Sequence, residues 1–143
     1  MKTSLVLRTT TFSIIFTAFM PIHPSVKKLL LNIMKSFPDV AEHMMLIAKR
    51  HRSIANCTTE MIGEFARLTT QTMRDDNQAV AQSHLRFISE LLKTADEKTR
   101  EYINVYYVEE LFFGMTPAQK KCAWPILPAN LKQLYVAMWG DIA

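Results

Sequence analysis

Residues that start and end helices divide this sequence, from about residue 24 to residue 140, into seven short segments. Prolines stand at the first turns, glycines follow two of the ends, and apolar residues recur between them at helical spacing. The segments are 24–37, 38–52, a third that begins at a cap between residues 56 and 59 and runs to 74, 78–93, 94–113, 116–124 and 128–140. The turns between them are short, which is typical of antiparallel neighbouring helices. The pattern predicts an all-α single domain of about six or seven helices, packed as an irregular bundle or as a stack of helix pairs.

The composition agrees with one helical domain. The chain has 143 residues, of which 49% are hydrophobic, and this is enough to bury one core of ordinary size. It has only three glycines, and they are not clustered, so a phosphate-binding loop of the α/β nucleotide folds is not expected. The nine methionines are interpreted mainly as packing for an irregular core.

The fifth segment is the most apolar. Thr94 and Glu97 have the spacing of a capping box, so a helix is expected to begin there and to run to about Phe113, where Gly114 ends it. Its apolar residues lie nearly all round the helix, which predicts a central helix buried on more than one side. Glu109 and Glu110 interrupt this surface. Adjacent helical positions diverge by about 100°, so the two carboxylates cannot act as a catalytic pair. We expect one to be paired within the fold and the other solvated, unless one serves an interface.

The positive charge of the chain is concentrated at its beginning. Residues 1–52 carry eight basic and two acidic residues, a net charge of +6, whereas residues 53–143 carry nine basic and eleven acidic residues, a net charge of −2. The first 24 residues are interpreted as an extension outside a helical domain of residues 25–143. A targeting segment or an ordered arm are the alternatives, although a threonine-rich run after Arg8 makes a poor signal peptide.

Catalytic, metal-binding and nucleic-acid-binding motifs are not evident. The four histidines and two cysteines form no metal-ligand spacing, so no metal or other cofactor is expected. Cys57 and Cys122 are interpreted as buried thiols in a reducing compartment. His84 is on the apolar face of its helix, where a hydrogen-bonded core histidine is expected. The basic run 49–52 suits the negative end of its helix, with a role in phosphate binding as the alternative.

Aromatic residues are dense in the last third of the chain. Tyr and Trp are the residues that protein interfaces use as anchors. Most of these side chains are expected in the core, but six are more than one small core readily hides: Tyr106, Tyr107, Phe112, Phe113, Trp124 and Trp139.

Three stretches resemble a family of small all-helical, HEAT-like domains that serve as immunity proteins beside bacterial polymorphic-toxin genes. They are Phe37-Pro38-Asp39, residues 83–112 with Asp96 and Val108-Glu109-Glu110-Leu111, and residues 127–140, which end in Trp139-Gly140. The resemblance covers about residues 34–141 and leaves the first thirty residues outside.

The resemblance implies a cytoplasmic immunity protein that binds a cognate toxin domain and blocks its active site sterically, with no enzymatic activity of its own. The partner is then a protein and not nucleic acid, a membrane or a small molecule. The acidic and aromatic C-terminal half is the expected contact surface, and its candidate residues are Asp96, Glu97, Tyr106, Tyr107, Glu109, Glu110, Trp124 and Trp139. A nucleic-acid-associated regulator and an exported or membrane-attached protein are the alternatives.

Overall fold

The computed structural model describes residues 22–142, and within them all regular secondary structure is helical. Seven α-helices occur in this range, as the sequence predicts. They are α1 (Pro24–Ser36), α2 (Pro38–His51), α3 (Thr58–Arg74), α4 (Gln78–Lys93), α5 (Glu97–Tyr102), α6 (Pro117–Ala123) and α7 (Ala129–Trp139). A π-helical segment, Ile103–Val108, follows α5, and a 3₁₀ turn, Trp124–Ile126, follows α6.

The chain divides into two compact units, the first ending at Met61 and the second beginning at Ile62. Helix α3 runs through this division. In the first unit, α1 begins at Pro24, and the Nδ1 atom of His23 accepts a hydrogen bond from the backbone N–H of Ser25. Helix α1 buries one face, formed by Val26, Leu29, Leu30, Ile33 and Met34. Fully burying an aliphatic side chain contributes about 1.5–3 kcal/mol, so this face accounts for the helix position.

The second unit contains an aromatic core. The ring of Phe112 packs edge-on against Tyr135 of α7, with centroids 5.2 Å apart, and lies 6.3 Å from the ring of Trp124. Trp124 and Tyr135 also contact each other at 5.7 Å. Phe112 is 1% exposed and Tyr135 is 4% exposed. These rings join the end of the fifth segment to the last helix.

The fifth segment differs from the predicted single α-helix. Asp96, and not Thr94, is the N-cap, because its carboxylate accepts a hydrogen bond of 2.8 Å from the backbone N–H of Thr99. The α-helical pattern ends at Tyr102, and the next six residues form a π-helix, marked by the hydrogen bond from the Glu109 N–H to the Asn104 carbonyl. A segment that is apolar all round has no amphipathic stripe to fix α-helical periodicity, so tertiary packing decides its winding.

Two further predictions are corrected. Cys57 is buried as expected, and its burial, with Glu60 nearby, raises the pKa of the thiol, but Cys122 is exposed. The spacing of Val80, His84 and Ile88 predicts that all three share the buried face of α4, yet Val80 is 38% exposed, while His84 and Ile88 are buried.

The predicted N-terminal extension lies almost entirely outside the described residues, since it ends at residue 24 and the description begins at residue 22. Among the described helices, none is both long enough and apolar enough to cross a membrane.

Candidate binding surface

Phe113 is the most exposed large hydrophobic residue that the structure describes, with 78% of its surface accessible. It lies in the turn of residues 109–114, called here the Phe113 turn. On either side of it the backbone adopts the left-handed conformation, with φ of +67° at Phe112 and +77° at Gly114. A bulky residue rarely adopts a positive φ, and the cost of such a conformation is on the order of 1–3 kcal/mol. The turn therefore holds an aromatic ring in solvent at the expense of backbone strain.

Contacts from α3 fix this turn. The guanidinium of Arg74 donates a hydrogen bond of 2.6 Å to the Phe113 carbonyl, and the backbone N–H of Phe112 donates one of 3.2 Å to the hydroxyl of Thr70. Glycine is favoured at position 114 because φ is +77°, and a Cβ atom there would displace the guanidinium of Arg74, whose Nη2 atom lies 2.5 Å from the Cβ position. Strained backbone persists where its surroundings over-determine it, and such positions cluster at functional sites.

A pocket of about 220 Å³ opens next to the turn. Arg74 connects the turn with the pocket, since its guanidinium binds the Phe113 carbonyl and Arg74 also lines the pocket. The lining residues are Met73, Arg74, Asp76, Gln78, Met115, Ala118, Gln119, Cys122, Ala123 and Ile126. Phe113 does not line this pocket. The surface therefore carries a projecting aromatic ring and a partly apolar depression side by side.

The two carboxylates of the Phe113 turn are both exposed. Across the described part of the chain, neither Glu109 nor Glu110 takes part in an ion pair, so the expected internal partner for one of them is not found. The turn begins at Glu109, directly after the π-helical segment, and both glutamates are exposed there. They bring two negative charges to this turn, which also contacts the positive guanidinium of Arg74.

The structure separates the other sequence-predicted contact residues. Asp96 and Glu97 are exposed at the start of α5, on the order of 20 Å along the helical chain from Glu109. Tyr106 is half-buried and packs edge-on against Tyr102 at 5.0 Å. Asp96 and Glu97 therefore do not form one site with the Phe113 turn, whereas Tyr106 lies one helical turn before Glu109 and Glu110.

The two tryptophans differ in accessibility. Trp124 is half-buried in the aromatic core, and the ammonium of Lys132 lies 5.5 Å from its ring centroid. Trp139 is 57% exposed at the end of α7, three residues after Val136, which is 38% exposed. Trp139 therefore remains available to a partner, while Trp124 serves mainly to position α7.

Tyr107 is a core residue rather than a contact residue, because it is 0% exposed. Its hydroxyl lies 2.9 Å from the hydroxyl of Thr69, which in turn lies 3.0 Å from Nδ1 of His84 and 3.0 Å from the Phe65 carbonyl. Burial raises the pKa of Tyr107 and lowers the pKa of His84 to about 4. This network confirms His84 as a hydrogen-bonded core histidine and supports the second unit from within.

In the first unit, an acidic residue from the start of α3 lies against the basic run of residues 49–52. The carboxylate of Glu60 is 2.6 Å from Nε2 of His51 and 3.6 Å from the guanidinium of Arg50. The carboxylate reduces the local positive charge that phosphate binding would need. No three His, Cys, Asp or Glu side chains between residues 22 and 142 lie close enough together to hold a metal ion.

Sequence reasoning missed the exposure of Phe113, which was expected within a buried central helix. The available signal was its position directly before Gly114, where a helix ends and the next side chain is free to leave the core. That signal does not distinguish which of Phe112 and Phe113 turns outward.

Together these features define a small all-helical protein with an exposed acidic and aromatic turn in its C-terminal unit. The chain belongs to the family described as a domain of unknown function, DUF7674, whose model matches residues 30–140. No curated protein and no solved structure matches the chain. The family description names neither an activity nor a partner, so the immunity function and the HEAT-like arrangement stay predictions.

Proposed function

We propose that this protein is a cytoplasmic immunity protein that binds a cognate bacterial toxin domain and covers its active site. The observation that carries the proposal is Phe113, 78% exposed on a turn whose strained backbone is fixed by Arg74 and Thr70. Exposed aromatic residues in a fixed position are the usual anchors of protein interfaces. The likeness of the sequence to immunity proteins supplies the kind of partner.

The charge around Phe113 suits a basic partner. Glu109 and Glu110 are exposed and belong to the same turn. Toxin domains that act on nucleic acids or nucleotides carry basic surfaces around their active sites, since they must attract phosphate groups. Opposite charges steer two proteins together and set their orientation, while the apolar anchor contributes most of the affinity. In this arrangement Phe113 enters the toxin surface and the carboxylates contact its lysines or arginines.

A fixed turn is suited to inhibition by steric block. Association costs about 0.5–1.5 kcal/mol for each flexible side chain that must be immobilised. The hydrogen bonds to the Phe112 N–H and the Phe113 carbonyl have already ordered this turn in the free protein. Binding of the toxin therefore does not have to order the backbone of this turn, and the free energy of the contacts contributes to affinity.

The proposal is tested by co-expressing the protein with the toxin encoded beside its gene. Three variants are compared with the wild type for protection of the cells and for binding of the purified toxin: F113A, the double variant E109Q/E110Q, and L46A. Leu46 is the matched control because it is an apolar side chain 60% exposed in the first unit.

We expect F113A to weaken toxin binding by roughly tenfold or more and to abolish protection. E109Q/E110Q should slow association and make it less sensitive to salt, because it removes the steering charges. L46A should protect like the wild type. If the wild type neither binds nor neutralises the neighbouring toxin, the immunity function is contradicted. If F113A and L46A lose toxin binding equally, the assignment of the Phe113 turn as the contact surface is contradicted.

A further inference from the structure

The π-helical segment Ile103–Val108 changes which of the later residues face the core. Each residue of an α-helix turns the chain by about 100°, so the buried side of a helix that continues from Ile103 returns after 4, 7, 8 and 11 positions. The residues at those positions are Tyr107, Glu110, Leu111 and Gly114. Of these, Glu110 and Gly114 are exposed. An uninterrupted α-helix therefore does not account for the burial that follows Ile103.

The observed burial keeps the same spacing, but one position later. Four residues are buried at 5, 8, 9 and 12 positions from Ile103, namely Val108, Leu111, Phe112 and Met115. The shift comes from the π-helix, whose hydrogen bonds span five residues instead of four, as in the bond of 3.2 Å from the Glu109 N–H to the Asn104 carbonyl. In a continuous α-helix, Phe112 would point away from the side of Ile103. One additional residue thus turns Phe112 to the core and Phe113 to solvent.

The hydroxyl group of Tyr107 fastens this segment to α3. Tyr107 is 0% exposed, and its oxygen lies 2.9 Å from Oγ1 of Thr69, which is also 0% exposed. Oγ1 of Thr69 lies 3.0 Å from the Phe65 carbonyl, and a carbonyl only accepts, so the single proton of the threonine hydroxyl is donated there. The Tyr107 hydroxyl must therefore donate its proton to Thr69. By the same count Nδ1 of His84, 3.0 Å from this oxygen, also donates.

Apolar contacts alone do not choose between α-helical and π-helical winding of the segment. Most of its residues are apolar, and the burial of apolar surface has no preferred direction. A hydrogen bond does have one, since it weakens steeply when the donor, the proton and the acceptor are out of line. The bond from Tyr107 to Thr69 therefore fixes the rotation of the segment about its own axis.

We infer that Tyr107 is a positioning residue for the Phe113 turn, because its hydrogen bond to Thr69 holds one additional residue in segment 103–108 as a π-helix. Thr70, the next residue of α3, then accepts the hydrogen bond of 3.2 Å from the Phe112 N–H. Two neighbouring hydroxyl groups of one helix thus fix the winding and the turn that follows it. The consequence for toxin binding rests on the proposed function, whereas the winding does not.

The first experiment measures amide hydrogen exchange by NMR in the full-length protein. Y107F removes the hydroxyl and keeps the ring, and Y135F is the matched control. Tyr135 is 4% exposed in the same unit, and its ring contacts Phe112 instead of segment 103–108. We expect Y107F to speed up exchange of the Glu109 and Phe112 amides by roughly tenfold or more, and to change the amides of α7 far less. A merely general loss of stability would affect all slowly exchanging amides alike.

A deletion tests the additional residue directly. Removal of Val105 leaves Val108, Leu111, Phe112 and Met115 at 4, 7, 8 and 11 positions from Ile103, the spacing of an α-helix. We expect this variant to fold, with the segment α-helical by NMR. The control is removal of Arg67, an exposed residue within α3, which should prevent folding because an α-helix has no residue to spare. In the Val105 deletion, Y107F should no longer speed up exchange of the Phe112 amide.

Two results overturn the inference and leave the immunity function standing. One is exchange of the Glu109 and Phe112 amides that Y107F leaves unchanged or that Y135F speeds up equally. The other is a Val105 deletion that unfolds the protein as the Arg67 deletion does.

Toxin binding separates the inference from the proposed function. In a protein that neutralises the neighbouring toxin, Y107F should weaken toxin binding by roughly tenfold, and Y135F should bind like the wild type. If Y107F binds the toxin as tightly as the wild type does, the positioning role is overturned. If the exchange results are as expected but the wild type neutralises no neighbouring toxin, the role of Tyr107 in the turn is supported and the proposed function is contradicted.

Discussion

His84 links the stability of the second unit to pH. It is 4% exposed, and burial lowers its pKa from 6.5 to about 4. Between these two values the unfolded chain binds a proton that the folded protein excludes. The contribution of neutral His84 to the free energy of unfolding is therefore fully present above pH 6.5. It is lost as the pH falls towards 4, and the loss is about 3 kcal/mol in total.

The measurement is urea denaturation of the wild type, H84Q and H43Q at a series of pH values from 7 to 4. We expect H84Q to be less stable than the wild type at pH 7, because the contact with Thr69 is altered, and to lose less stability on acidification. His43 is an exposed histidine on α2 and is the matched control. An H84Q variant with the same pH dependence as the wild type would contradict the assignment.

Two glycines with opposite environments test the Phe113 turn. At Gly114, φ is +77° and a Cβ atom would meet Arg74, whereas at Gly63, within α3, a Cβ atom would find neighbours only at 3.9 Å and 4.0 Å. We expect G114A to lose about 1–2 kcal/mol of unfolding free energy from the left-handed backbone, and more if Arg74 is displaced. G63A should gain up to about 1 kcal/mol from its higher helix propensity.

Thermal or chemical denaturation of both glycine variants measures these changes. A G114A variant that is as stable as the wild type would show that the turn is not fixed as described. If G114A is destabilised but folded, its affinity for the toxin should also decrease, since Phe113 is then presented in a different position.

At the scale of elements, a side-chain pair attaches α7 to α4. The hydroxyl of Ser89 donates a hydrogen bond of 2.7 Å to the amide oxygen of Asn130, and the amide nitrogen of Asn130 donates one of 3.0 Å to the Ser89 carbonyl. Ser89 is 7% exposed, so its groups lose their partner without gaining water when Asn130 is removed. The pair holds the last helix at the position where Tyr135 meets the aromatic core.

We expect N130A to destabilise the protein by about 1–3 kcal/mol, the cost of leaving buried polar groups unpaired. The double variant S89A/N130A should lose less than the sum of the two single variants, because the two residues share these bonds. Q133A, at an exposed position on α7, should change stability by no more than about 0.5 kcal/mol. If the losses of unfolding free energy in S89A and N130A simply add in the double variant, the hydrogen bonds between Ser89 and Asn130 are contradicted.

Most helix boundaries could be predicted from local signals. Pro38 begins α2, and Thr116 with Gln119 forms the capping box of α6, as the sequence indicates. The fifth segment could not be predicted in this way. It changes from α- to π-helical at Ile103, and the side-chain oxygen of Asn104 there is buried without a hydrogen-bond partner among residues 22–142. No local residue type signals that change.

At the scale of the whole molecule, the charge of the chain and the charge of the candidate surface have opposite signs. The chain carries +4, yet the Phe113 turn presents two carboxylates. The basic run of residues 49–52 belongs to the first unit, where Glu60 lies against it. In the proposed complex, a toxin bound at Phe113 meets the local charge of this turn and not the total charge, since charges farther away than about 10 Å are largely screened at 0.1 M salt.

The sequence by itself determined the helical class, the order of the seven helices and the core position of His84, because these follow from caps, prolines and apolar spacing within a few neighbouring residues. Only the tertiary structure decided which aromatic side chains are exposed. Phe112 turns inward and Phe113 outward because Thr70 and Arg74 bind their backbone from 42 and 39 residues away. Contacts over such distances have no signature in the local pattern, and they are what places Phe113 on the surface.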